Sequence, residues 1–137
     1  MRNEHKGDML WSGDGLELFI GHERLDQPGA LLFTDRQVLL SAGLPGGAPA
    51  WHDARAAQPY ACELAVVPRV DGRGYTLEAA IPFAGLGFKP ADGQALRFDL
   101  GVDDSPDGTS RARQIMWNGT ARNSGDRTHW GRAVLGK

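Results

Sequence analysis

The chain has 137 residues, a formal net charge of −2 and 41% hydrophobic residues, which predicts a single globular domain with its own core. The balanced charge, with no basic stripe, argues against nucleic acid or an anionic membrane as partner. Cys62, the single cysteine, excludes an internal disulfide, and no apolar run approaches the roughly 20 residues of a membrane span.

Seven segments alternate apolar and polar residues in the way typical of strands that are packed on one side. In chain order they are 15–20, 30–41, 60–67, 74–81, 95–102, 111–117 and 129–135. Turns rich in Gly, Pro and Asp separate them, and Pro82 ends the fourth strand because it lacks a backbone N–H. The pattern predicts an all-β fold, a two-sheet antiparallel β-sandwich. The stretch 42–58, with Trp51, is predicted to be a surface loop.

The apolar positions of these strands define an expected core. They include Leu18 in the first strand, Leu77 and Ile81 in the fourth, and Phe98 and Leu100 in the fifth. Because residues two apart in a strand share a face, we expect these side chains to be buried between the sheets.

Three side chains near the strand ends suit a small polar ligand. Trp11 precedes the first strand, where its indole could offer a flat apolar face or cover the end of the core. Glu17 could accept hydrogen bonds in a groove or point into solvent. Arg111 is a planar, multi-donor group, although a cross-strand ion pair would use it equally well. Alternation places Arg111 and Arg113 on one face and Gln114 on the other.

The acidic turn 103–108 is a candidate site for a structural calcium ion. Asp103, Asp104 and Asp107 put several oxygen ligands into one short segment, although the spacing is not that of an EF-hand. An ordinary acidic turn is the alternative. No other cofactor is indicated, because the four histidines are dispersed and nucleotide-binding motifs are absent.

Two stretches resemble family 9 carbohydrate-binding modules: LWSGDGLELFI at 10–20 and GYTLEAAIPFAGLG at 74–87. The resemblance implies a jelly-roll or immunoglobulin-like sandwich of the DOMON-like class. It also implies further strands before residue 10, so the chain is expected to be the C-terminal piece of a longer sandwich or a shortened member. Residues 1–9 are then a flexible N-terminal segment, and 10–137 form the module.

The same resemblance implies a sugar site with five contacting side chains. Trp11 falls on a stacking position, and the hydrogen-bonding positions fall on Glu17, Gln37, Arg111 and Asn123.

Two positions depart from the family pattern. Leu39 stands where some members carry an arginine, and Gly125 stands where a second stacking tryptophan is expected. The aromatic clamp is thus reduced to one wall unless Trp51 or Trp130 supplies the other. Loss of one stacking face would weaken binding by on the order of 1–3 kcal/mol.

The function implied by the resemblance is non-catalytic binding of a sugar or polysaccharide end. Such a module is linked to carbohydrate catabolism, is extracellular or periplasmic, and is joined to an upstream glycoside hydrolase or a sandwich-completing domain. The first residues lack the apolar core of a signal peptide.

The alternative function is that of a structural or protein-interaction sandwich that has lost the sugar site. A glycoside hydrolase is disfavoured because no two carboxylates can be given facing roles, and a haem-binding sandwich has only Met116 or His129 to support it.

Overall fold

The computed structural model describes residues 2–24, 26 and 29–136, and it confirms the all-β fold. The described residues form a 3₁₀ helix at Gly7–Ser12 and a short helix α1 at Phe83–Leu86. Their strands are β1 Gly15–His22, β2 Arg36–Ser41, β3 Ala50–Asp53, β4 Glu63–Pro68, β5 Tyr75–Ala80, β6 Ala95–Asp104, β7 Arg113–Met116 and β8 Gly131–Val134.

Six of the strands form one antiparallel sheet and the other two form a small second sheet. The large sheet has the order β3-β2-β1-β6-β7, and β8 also pairs with β6. Its centre is the long β1–β6 ladder, which runs from Gly15 opposite Asp103 to His22 opposite Leu96. The second sheet is the hairpin β4–β5, as the turn sequence at 71–74 indicates.

The core lies between the two sheets, on one face of the large sheet. Strand alternation sends Leu16, Leu18 and Ile20 of β1 toward this core, while Glu17 and Phe19 face the other side. The buried cluster itself consists of Ile20, Val38, Leu40, Leu86, Phe88 and Leu96. The second sheet covers one face of the large sheet, and on the opposite face Phe19 and Leu39 are also buried, at 1% and 2% exposed.

The expected core residues Leu18, Leu77, Ile81, Phe98 and Leu100 lie only half-buried. The first four pack against the buried cluster. Their partial exposure follows from the size of the second sheet: two strands cannot cover the six strands of the large one. The strand pattern predicts which face is apolar, but the degree of burial depends on what lies above that face.

The predicted loop 42–58 contains a strand that the sequence pattern did not reveal. β3 pairs with the end of β2, and Trp51 packs on Tyr60 with ring centroids 4.9 Å apart. Four residues, AWHD, are too few to show a period-2 pattern. The predicted strand 30–41 is shorter in the structure, since β2 begins at Arg36.

Residues of the predicted flexible segment 1–9 make fixed contacts in the structure. The Asn3 side chain is 3% exposed, and its Nδ2 donates to the carbonyl oxygens of Leu10 and Asp14 at 2.8 and 3.0 Å. Its backbone N–H donates to the carbonyl of Gly43 at 3.2 Å. These bonds fix the 3₁₀ helix that follows, which positions Asp8 and Trp11.

A buried ion pair anchors the long segment between β7 and β8. Arg127 Nη1 donates to Asp35 Oδ1 at 3.1 Å, and the two side chains are 2% and 0% exposed. Arg127 also donates to the carbonyl of His22 through Nη2, and its guanidinium lies 5.7 Å from the Trp130 ring centroid. The segment 117–130 is thereby held against the start of β2 and the end of β1.

Candidate functional site

A cavity of about 330 Å³ opens on the face of the large sheet that points away from the core. β1 and β2 supply its floor, the 3₁₀ helix supplies one side, and the segments around 111–114 and 121–124 supply the rest. The lining residues are Asp8, Trp11, Glu17, Phe19, Gln37, Leu39, Ala54, Arg111, Gln114, Ala121, Asn123 and Ser124. All five side chains expected at a sugar site are therefore brought together by the fold.

Glu17 is the centre of a hydrogen-bond network on the cavity floor. Its side chain is 4% exposed, so the alternative of a solvated carboxylate is wrong. Gln37 Nε2 donates to Glu17 Oε2 at 2.7 Å, while Arg111 Nη1 and Gln114 Nε2 each donate to Glu17 Oε1 at 2.9 Å. Three donors from two segments, β2 and residues 111–114, fix this carboxylate, as a buried charge requires.

Asp103 lies beside Glu17 and shares its partners. Arg111 Nη1 and Gln114 Nε2 donate to Asp103 Oδ1 at 2.9 and 3.1 Å, whereas the buried Oδ2 has no hydrogen-bond partner. Burial, followed by the negative charge of Glu17, raises the pKa of Asp103 from 3.8 to about 7. The two carboxylates are adjacent because β1 and β6 are neighbours.

Arg111 and Gln114 point to the same side, which corrects the prediction from alternation. Residues three apart on one strand would face opposite ways. β7 begins only at Arg113, so Arg111 lies before the strand and is not bound by its alternation. Both side chains therefore reach Glu17 and Asp103.

Trp11 forms the aromatic wall of the cavity. Its side chain is 37% exposed, so it does not cover the end of the core. The Arg111 guanidinium carbon lies 4.9 Å from the ring centroid, a cation–π geometry. Arg111 therefore makes ion pairs, which were the alternative to a ligand-binding role. It also contacts the Trp11 indole and orients it.

Asn123 lies at the cavity edge but uses its polar atoms within the protein. Its Oδ1 accepts from the Thr120 backbone N–H at 2.9 Å, and its Nδ2 donates to Asp99 Oδ2. Asp99 also accepts from the backbone N–H groups of Asn118 and Gly119 at 2.9 and 2.7 Å. In this arrangement Asn123 fixes the shape of the loop that closes the cavity.

Comparison with known families bears on this site. The family described as carbohydrate family 9 binding domain-like matches residues 1–137. The chain belongs to this family.

Solved structures of family 9 modules share the fold. One from Caldicellulosiruptor kristjanssonii in complex with cellotriose has a TM-score of 0.71 at 17% identity, over 99% of this chain and 63% of that one. A second, from the same organism in complex with glucose, has a TM-score of 0.68 at 17% identity, over 95% and 63%. This chain thus spans 63% of the length of the solved chains. Comparison with curated protein sequences finds no match.

Among the residues that the structure describes, Trp11 is the one tryptophan that lines the cavity of this family 9 domain. Gly125 carries no side chain, as expected from the sequence, and neither tryptophan considered as a substitute reaches the cavity. Trp51 packs against the core on the opposite face of the sheet. Trp130 is 1% exposed and lies under Phe19, with ring centroids 5.5 Å apart. Leu39, at the position of the absent arginine, lines the cavity with an apolar surface.

The three aspartates of the predicted calcium site do not converge in this family 9 domain. Asp103 and Asp104 are consecutive on β6, so Asp103 faces the cavity while Asp104 is exposed on the other side. Asp107 Oδ1 accepts from the backbone N–H groups of Thr109 and Ser110 at 2.8 and 3.1 Å. No group of three or more His, Cys, Asp or Glu side chains could hold a metal ion in the part of the chain that the structure describes. Asp107 therefore belongs to an ordinary acidic turn, which was the alternative to a calcium site.

Sequence reasoning missed several polar residues in or beside the cavity, among them Asp8, Gln114 and Asp103. Asp8 lies on the 3₁₀ helix, which has no periodic signal. Alternation separates Gln114 from Arg113 correctly but assigns Arg111 to the face of Arg113, so it does not bring Gln114 and Arg111 together. Asp103 is predicted to be part of a calcium turn, although its place on the same strand face as Asp99 and opposite Gly15 follows from the β1–β6 register.

In the part of the chain that the structure describes, neither helix has the length and apolar character of a membrane span.

Proposed function

We propose that this domain is a non-catalytic carbohydrate-binding module whose ligand, a sugar or the end of a polysaccharide, occupies the cavity beside Trp11. The main observation is the convergence of five side chains from separate segments on one cavity. Family membership and the sugars held by similar solved structures support the same function.

The contacts available to a sugar follow from the hydrogen bonds already made. Arg111 uses Nη1 for both carboxylates, so its other guanidinium nitrogens can donate to hydroxyls. Gln37 and Gln114 donate to Glu17 through Nε2, which leaves their carbonyl oxygens as acceptors. The exposed part of the Trp11 indole offers an apolar surface to the C–H face of the ring.

The arrangement of carboxylates supports binding without hydrolysis. Glu17 and Asp103 accept from the same Arg111 nitrogen and lie side by side on the cavity floor. A glycosidase needs two carboxyl groups that flank the scissile bond, with free access to it. We therefore assign these two residues to positioning the donors.

Trp11→Ala tests the proposed site. With a single aromatic wall we expect the wild-type protein to bind glucose or short β-linked glucose oligomers with a dissociation constant on the order of 0.1–1 mM. Loss of the indole removes the apolar contact and leaves the Arg111 guanidinium without its support. We expect the affinity to fall at least about tenfold, which corresponds to about 1.4 kcal/mol, as measured by isothermal titration calorimetry.

Trp117→Ala is the matched control for this experiment. Trp117 is 62% exposed and meets Phe98 edge-on at 5.8 Å, on the core side of the sheet and away from the cavity. Its loss should leave the affinity unchanged. Sugar binding that survives in the Trp11 variant contradicts the site, and no binding of any of these sugars to the wild-type protein contradicts the function.

The biological setting of the module is part of the proposal. We propose that residues 10–137 act together with the N-terminal segment as one module, that it is an accessory to a carbohydrate-active enzyme, and that it works outside the cell. A tethered module raises the local concentration of substrate near the catalytic domain. Comparing hydrolysis of an insoluble glucan by the enzyme with and without the module measures this effect, and equal rates would contradict it.

A second candidate function, protein interaction, is favoured by one specific observation. On the core side of the large sheet, Val102, Ile115 and Trp117 are 42%, 66% and 62% exposed. Adjacent exposed apolar residues on a sheet face favour association with another polypeptide. We expect sedimentation velocity to show concentration-dependent self-association that Ile115→Lys reduces. A monomer at all concentrations would contradict self-association by this face.

A further inference from the structure

Negative charge predominates at the cavity. Asp8 and Glu17 line it, and Asp103 lies directly beside Glu17. Asp99 is fully buried below the loop that carries Asn123. Arg111 is the one cationic side chain among the lining residues that the structure describes. Three carboxylates, with Asp103 as a fourth ionisable group, therefore lie in and just below the cavity with one guanidinium.

The positive charge of Arg111 is already paired with carboxyl groups of the protein. Its Nη1 pairs with both Glu17 and Asp103 at 2.9 Å, and the guanidinium stacks over Trp11. Asp99 is satisfied by N–H donors: the amide of Asn123 and the backbone of Leu100, Asn118 and Gly119. Neutral donors stabilise its carboxylate but leave its charge uncompensated, so the field of Asp99 adds to that of Asp8 and Glu17.

Asp103 is partly protonated near neutral pH, because the cavity floor disfavours a second negative charge beside Glu17. Its buried Oδ2 has no hydrogen-bond partner. Burial and the neighbouring Glu17 charge raise its pKa to about 7, because a second negative charge is unfavourable next to the first.

We propose that the cavity selects sugars by charge: it binds a ring with a protonated amine more tightly than a neutral ring and excludes uronic acids. The proposal rests on the proposed function and names the substrate class of the same site. An ammonium group in the cavity is attracted by Asp8 and Glu17, whereas a uronate carboxylate meets the same two carboxylates and an arginine that is already paired. Enclosure by protein makes these interactions stronger than in open water.

The test compares three sugars with the intact protein: glucose, glucosamine and glucuronate, titrated by calorimetry at near-neutral pH and low ionic strength. We expect glucosamine to bind about 3–10 times more tightly than glucose, and glucuronate to bind at least about 10 times more weakly. Both differences should shrink in high salt, because screening weakens interactions between partly exposed charges. N-acetylglucosamine, substituted at the same carbon without the charge, should lose the advantage of glucosamine.

Asp8→Asn supplies the matched variant. Asp8 is exposed on the 3₁₀ helix, so the substitution should leave the fold intact while removing one charge from the cavity wall. We expect the preference for glucosamine over glucose to fall about two- to fivefold and glucuronate to gain affinity. If glucose binds and the three sugars bind alike, or glucuronate binds best, charge selection is overturned while sugar binding stands. If none of the three binds, the proposed function fails and the charge selection fails with it.

Discussion

Arg127→Met should lower the free energy of unfolding by about 3–5 kcal/mol, the usual cost of leaving one member of a buried ion pair without its partner. Asp35, the partner, is 0% exposed and would keep only the weaker donors around it. The variant also loses the donor to the His22 carbonyl and the cation–π contact with Trp130. Methionine keeps an unbranched apolar stem and most of the side-chain volume, so the effect reports the lost charge and hydrogen bonds more than a cavity.

Arg132→Met is the control on a neighbouring segment. Arg132 Nε pairs with Glu23 Oε1 at 2.9 Å, but the arginine side chain is 57% exposed. Exposed ion pairs contribute about 0–1 kcal/mol, since water and salt screen them. Urea titration measures both variants without adding ionic strength. Equal destabilisation by the two substitutions would contradict the structural role assigned to the Asp35–Arg127 pair.

The Arg127 variant should also weaken sugar binding if the cavity is the site. The pair holds the segment 117–130, which supplies Asn123 and Ser124 to the cavity edge. A loosened loop exposes Glu17 to water and raises the entropy lost on binding. Affinity should fall in Arg127→Met and stay unchanged in Arg132→Met.

Strand alternation predicted the sheet face of most residues because the side-chain period of an extended chain is a fixed geometric property. It placed Leu18 toward the core and Glu17 on the opposite face, as the structure shows. It could not predict how far Leu100 is buried, because that depends on the width of the opposing sheet. Nor could it detect β3, whose residues are set in place by pairing with β2, a contact distant from any local pattern.

The site shows the same division between local and non-local information. Resemblance to the family identified five residues that converge on the cavity, and the sequence also indicated the missing tryptophan at Gly125. The position of Arg111 relative to Gln114 and the role of Asp103 could not be predicted, for different reasons. The side of Gln114 relative to Arg111 depends on where β7 begins, which hydrogen bonding to β6 decides. The role of Asp103 depends on its burial next to Glu17, which needs the pairing of β1 with β6.

Asp103→Asn should change how stability depends on pH. In the folded protein the pKa of Asp103 is raised from 3.8 to about 7 by burial and by Glu17. Between these two values the folded state keeps a proton that the unfolded state releases. The stability contributed by the protonated form is therefore complete below about pH 4 and is lost as the pH rises through about 7. The total loss is on the order of 4 kcal/mol, since each pKa unit is worth about 1.4 kcal/mol.

Asparagine cannot ionise, and its amide has nearly the shape of the protonated carboxyl group. The variant should therefore be more stable than the wild-type protein above about pH 7, should match it near pH 4, and should show a flatter curve between. Asp104→Asn is the control, because Asp104 is the next residue on β6 but is exposed on the other face. Urea unfolding at a series of pH values gives the free energy of unfolding of the wild-type protein and both variants.

Arg111 is expected to remain paired with Glu17 in the Asp103 variant, so the comparison isolates the effect of the second carboxylate, that of Asp103. A wild-type stability that rises between pH 4 and 7 and an unchanged slope in the variant would show that Asp103 ionises normally, with Arg111 outweighing both burial and Glu17.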